Sequence, residues 1–140
     1  MLVFLVLLAN TAFAADPPTF ETCSNEVIND FEMGEYTMTA LEDTIAQLER
    51  CLAPDVQDQL ELSRMADELK IARAKATRKD RYLIDSAAAA LQEDRAEVNR
   101  IVMNGRRMIR LYRQAKDELY VAACLLHTAD PLTVGADCTQ

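Results

Sequence analysis

Cys124 and His127 stand three residues apart in AACLLHTADPLTVGADC, the stretch from Ala122 to Cys138. Residues at that spacing share a helix face, so a thiolate and an imidazole there would form a pair of metal ligands. A structural zinc site takes four such ligands. His127 is the only histidine, and the other cysteines, Cys23, Cys51 and Cys138, are better used as disulfide partners. A Cys-x-x-Cys-His haem attachment is also absent. The spacing therefore predicts the end of a helix and no metal site. His127 belongs in the last turn, where a cation suits the negative helix end. Pro131 prevents continuation, and Gly135 gives the tail freedom to bring Cys138 back.

The methionines offer the other soft donors, since thioethers bind Cu(I). Met33, Met38, Met65, Met103 and Met108 are scattered, and most fall on or beside apolar stripes, where Met fills gaps. Metal or small-ligand binding through His127 and these methionines is the alternative reading, and no cofactor is expected. For catalysis the chain has no Gly-x-Ser-x-Gly elbow, His-Glu-x-x-His helix or phosphate-cradling glycine loop. Its carboxylates lie mostly on polar helix faces, without the opposed environments an acid–base pair needs. No catalytic residue is assigned, and the expectation is a protein that is not an enzyme.

Residues 1–14, MLVFLVLLANTAFA, have the pattern of a secretory signal peptide. An apolar run from Leu2 to Leu8 precedes the small-x-small site Ala12-Phe13-Ala14. The run is short of the roughly 20 apolar residues that span a bilayer, so the mature chain is expected to lack a transmembrane span. Four cysteines in an exported chain fit an oxidising, secreted or periplasmic setting and two disulfides. Cys23 and Cys51 are 28 residues apart, too far for a bond along one straight helix. A turn at Gly34–Thr37 makes them neighbours, and favours Cys23–Cys51 with Cys124–Cys138. A straight helix favours Cys51 with Cys124 or Cys138, or Cys23 with Cys51 of a second chain.

The 140 residues, with three glycines and four prolines, predict one all-α domain over 15–140. Val27, Phe31, Met38, Leu41, Ile45, Leu48 and Leu52 follow a heptad-like stripe that Pro54 is expected to end. Leu62, Met65, Leu69, Ala72 and Ala76 hold one phase. Ile84 to Leu126 hold another, and the slip falls across Thr77–Ser86. A turn there, capped by Asp85 or Ser86, gives helices of about 20–52, 55–78 and 84–127 and an irregular tail over 128–140. They are expected to form an antiparallel bundle or long coiled-coil-like hairpin, disulfide-stapled, with the first helix straight or split at Gly34. If it splits, Thr39-Ala-Leu-Glu42 resembles a capping box. A third helix of some 65 Å would overhang a second helix of about half its length.

Charge is unevenly placed. Residues 16–53 carry nine acids against Arg50 alone, whereas residues 71–116 carry twelve bases against five acids. Part of this is expected to pair within the bundle, setting helix order more than stability. Arg100, Arg107 and Arg110 point away from the Val102–Gly105–Ile109–Tyr112 stripe and are the candidate interaction residues. They suit an acidic protein partner or an anionic envelope surface. The net charge of −8 and the lack of interleaved aromatics argue against specific nucleic-acid binding. Exported helical hairpins that act as periplasmic chaperones are a comparison at fold level, as are helical secretion-system components, but the chaperones' Leu-Thr-x-x-Gln repeat is absent. The expected role is an exported accessory, adaptor or chaperone-like protein, or a subunit of a secretion or surface assembly, with homodimerisation left open.

Overall fold

A computed structural model describes Asp16 and residues 18–139. The expected signal segment, residues 1–14, lies outside the described residues. The architecture is all-α: α1 (Phe20–Met33), α2 (Met38–Lys75), α3 (Arg78–Tyr120), a single π-helical turn (Val121–Leu125) and a short α4 (Pro131–Val134). The helices form an antiparallel, disulfide-stapled bundle. Among the described residues none of the helices is long and apolar enough to cross a membrane.

Threonine hydroxyls start the three long helices. Thr19, Thr37 and Thr77 accept from the backbone N–H groups of Thr22, Ala40 and Asp80 respectively. Each satisfies a donor that the first helical turn leaves without a partner. The first expected helix is thus split at Gly34–Thr37, and Thr37, rather than the Thr39–Glu42 pair, is the cap. Thr37 wins because its extended backbone places its oxygen over the first turn.

Two expected breaks are corrected. Pro54 lies inside α2 instead of ending it. Its ring leaves the Arg50 carbonyl without a donor. Arg50 and Pro54 are both exposed, so water can take that carbonyl. The expected turn across Thr77–Ser86 contracts to Ala76–Thr77. Arg78, Lys79 and Arg81 are good helix formers, and Thr77 caps them, its hydroxyl lying 2.6 Å from the Asp80 carboxylate. Asp85 is not a cap but an ion-pair partner, 2.6 Å from Arg73 on α2. That guanidinium holds the Asp85 carboxyl below its ordinary value. With 38 and 43 residues, α2 and α3 match in length at roughly 57 and 65 Å, so the expected overhang disappears.

The 14-residue α1 folds back on one end of this hairpin, making a three-helix base. Phe20, Val27, Leu48, Cys51, Leu52 and Ile109 form the core of the base. Phe31 meets Tyr112 edge to face, ring centres 5.3 Å apart. Burial beside Phe31, with the Glu32 carboxylate nearby, raises the Tyr112 pKa. Gly105 sets the closeness of the helices: a Cβ there would lie 2.5 Å from a Leu52 methyl and 3.1 Å from the Phe20 ring. Disulfides join Cys23 to Cys51 and Cys124 to Cys138. Beyond the base, α2 and α3 continue as a two-helix arm. Leu91 is its only buried residue between Ala53 and Ile101.

The C-terminal end also differs from expectation. The π turn rotates the chain, so Leu126 is exposed rather than closing the stripe. His127 leaves the helix altogether with φ 52°. The Ala122 carbonyl then accepts from the Thr128 N–H at 2.8 Å. Pro131 begins α4, and Gly135 at φ 68° ends it in the left-handed conformation that glycine tolerates.

Three stability outcomes follow. Replacing Cys23 and Cys51 together by Ser should cost about 3–4 kcal/mol in denaturant unfolding, because the bond closes a long loop. The Cys124→Ser, Cys138→Ser pair should cost less than about 1 kcal/mol, since the short tail can open locally without the bundle. Gly105→Val should cost about 1–3 kcal/mol, because Leu52 is buried and cannot swing aside.

Candidate interaction groove

The sequence reading names Arg100, Arg107 and Arg110 on α3, and all three are exposed. The structure does not gather them into one site. Arg100 and Arg107, seven residues apart, lie on the outward face with Met103, 70% exposed, and Leu111, 57% exposed. Arg110 instead borders an open groove of about 490 Å³ between α2 and α3. Arg106 and Arg113 line the same groove, along with Leu52, Val56 and Ile109. No α1 residue lines it.

Helical spacing explains the grouping. Arg106, Arg110 and Arg113 recur at steps of four and three, one position out of phase with the Gly105–Ile109–Tyr112 core stripe. They therefore form the next row round the helix. α1 covers the stripe's other side, through Phe20 near Gly105 and Phe31 against Tyr112. Arg106 and Arg113 were legible from this spacing, but a search for residues pointing directly outward passes over the flanking row.

Arg113 pairs with Glu49 across the groove, and Lys116 pairs with Glu42 at 2.8 Å. These pairs tie basic α3 to the acidic start of α2. Among the described residues Arg106 and Arg110 make no ion pair, and neither do Arg100 and Arg107. The groove thus combines an apolar floor with two guanidinium groups facing water. Each offers a planar fork of donors that matches a carboxylate.

The other soft or ionisable residues are dispersed. Cys124 is bonded to Cys138, so its sulfur does not join His127 in a ligand pair. His127 is exposed outside the helices. Met33 lies on α1, Met38 and Met65 at separate places on α2, and Met103 and Met108 on different faces of α3. Among the described residues no group of three His, Cys, Asp or Glu side chains is placed to hold a metal ion.

Comparison with protein-family models, curated proteins and solved structures found no match.

Glu49→Ala frees Arg113 and gives the groove a third unpaired guanidinium. The pair is exposed, so stability to denaturant should change by less than about 1 kcal/mol.

Proposed function

We propose that this is an exported, non-enzymatic helical adaptor that docks an acidic, partly apolar segment of a protein partner. One observation carries the reading: Arg106 and Arg110 lie unpaired beside the apolar floor of Leu52, Val56 and Ile109. Charge-depleted apolar surface flanked by arginine is characteristic of protein interfaces. Arg100 and Arg107, with exposed Met103 and Leu111, extend the basic surface round α3.

Export is supported by the pattern of residues 1–14 and by the two disulfides, which persist in oxidising compartments. Metal binding through His127 and methionines gains nothing from the geometry of Cys124, whose sulfur is bonded to Cys138.

A photo-crosslinking side chain at Gln57, on the groove wall, should capture a specific partner in the native host. Arg106→Glu with Arg110→Glu should abolish that adduct while circular dichroism stays unchanged. Arg100→Glu with Arg107→Glu should weaken it only if the partner reaches the outward face. An adduct that survives both double variants would sink the groove as the docking site.

A further inference from the structure

The arm carries a second surface, separate from the groove. Leu83, Ala87, Ala90, Asp94, Glu97 and Ile101 recur on α3 at steps of four and three, so they form one lateral stripe. On α2 the matching row is Asp58, Glu61, Met65, Glu68, Ala72 and Lys75. The two rows meet in a groove lined by Asp58, Glu61, Leu62, Asp94, Glu97, Val98 and Ile101. The face is therefore a continuous side of the arm, and none of the described residues covers it. Leu83 is 65% exposed there and Met65 41% exposed.

Its charges are sorted along its length. The tip, residues 70–85, holds six bases and two acids. The shaft, residues 55–68 with 93–97, holds eight acids and two bases. Lys75 and Lys79 at the tip make no ion pair among the described residues, and neither do Asp58, Asp94 and Glu97 on the shaft. Crowding is felt at the shaft: partial burial and the neighbouring Asp58 raise the Asp55 pKa. Between tip and shaft the α3 stripe has only Ala87 and Ala90, small side chains that let two helices approach closely.

We infer that this face binds a second copy of the chain, the two arms lying antiparallel about a two-fold axis at Ala87 and Ala90. The register follows from helical rise. Lys79 lies about 3 Å and Glu97 about 30 Å along the arm from Thr77. Ala87 and Ala90 fall near the midpoint between them. Antiparallel overlap then sets Lys75 and Lys79 of each copy on Asp58, Asp94 and Glu97 of the other. Parallel overlap would set base on base and acid on acid. The contact is isologous, so it closes as a dimer rather than growing into a filament. The paired arms form a four-helix bundle, which supplies the core that a two-helix arm lacks. An overlap of roughly 30 Å by 20 Å buries about 1,200 Å² over both copies, the lower edge of a specific interface. A lipid surface fits this face less well, because its acidic shaft would be repelled by anionic head groups.

Sedimentation equilibrium of the native chain should show a concentration-dependent dimer that weakens with salt. The Lys75→Glu, Lys79→Glu variant and the Asp94→Lys, Glu97→Lys variant should each sediment as monomers with native helicity. An equimolar mixture should form a heterodimer, because each altered tip then faces a complementary shaft. A native chain that stays monomeric up to millimolar concentration overturns the inference, as does a mixture that does not associate. Native chain carried down by phosphatidylglycerol vesicles but lost with Lys75→Glu, Lys79→Glu would reassign the tip to a lipid surface. Arg106→Glu with Arg110→Glu should leave the dimer intact, so failure of the groove reading and failure of this one are distinguishable.

Discussion

The fold depends on how closely three helices meet at Gly105. Leu52 and Phe20 occupy the volume that a Cβ at that position would need. This lets α1 sit deep against the α2–α3 hairpin instead of resting on its surface. Cys23 and Cys51 lie beside the crossing and fix α1 in that position by a covalent bond. Ile109, one turn along α3, continues the same core. Because α1 is 14 residues long, its cover reaches only one end of the hairpin. The remainder of α2 and α3 is left as an arm with almost nothing buried.

That division explains where each surface came from. In the base, α1 fills one side of the α2–α3 pair and leaves the other side as the arginine groove. Acids on α1 point to water, and α3 finds its partners on α2 through Glu42 and Glu49. Only two of the α3 bases are neutralised in this way, which leaves Arg106 and Arg110 with donors facing solvent. Exposed ion pairs stabilise little, so the placement of these charges says more about partners than about folding.

Much of this architecture was legible in the chain. The heptad stripe from Val27 to Leu52 and the one from Ile84 onward describe real buried faces, and the helical class follows from them. The split at Gly34–Thr37 was one of two readings, because the stripe keeps its phase across the break. Pro54 was misread because the rule against proline assumes a carbonyl that water cannot reach, and Arg50 is exposed. The phase slip across Thr77–Ser86 was real, but two residues absorb all of it. A polar segment looked like a loop, although its arginines and lysines suit an exposed helix. The π turn left no clear trace in the sequence, so the expected helix runs two residues too far, through His127 instead of ending at Leu125. Of the two unpaired arginines that line the groove, the sequence reading names Arg110 and not Arg106, since it seeks the face opposite the core rather than its edge.

Marginal stability links the arm to its surroundings. Two helices alone bury a single seam, and helix propensity alone does not hold long segments firmly in water. Here the seam is thin, with Leu91 its only buried residue. Arg73–Asp85 near the turn and Gln59–Asn99 at 2.7 Å nearer the base add polar cross-links between the helices. Such links fix register but contribute little net free energy when exposed. An arm built this way gains more from covering its lateral face than from any change within its own seam. Sorted charge then decides which cover fits: a surface basic at one end and acidic at the other is complementary to itself when reversed. Small residues at the midpoint, where a reversed copy comes closest, satisfy the steric side of the same requirement.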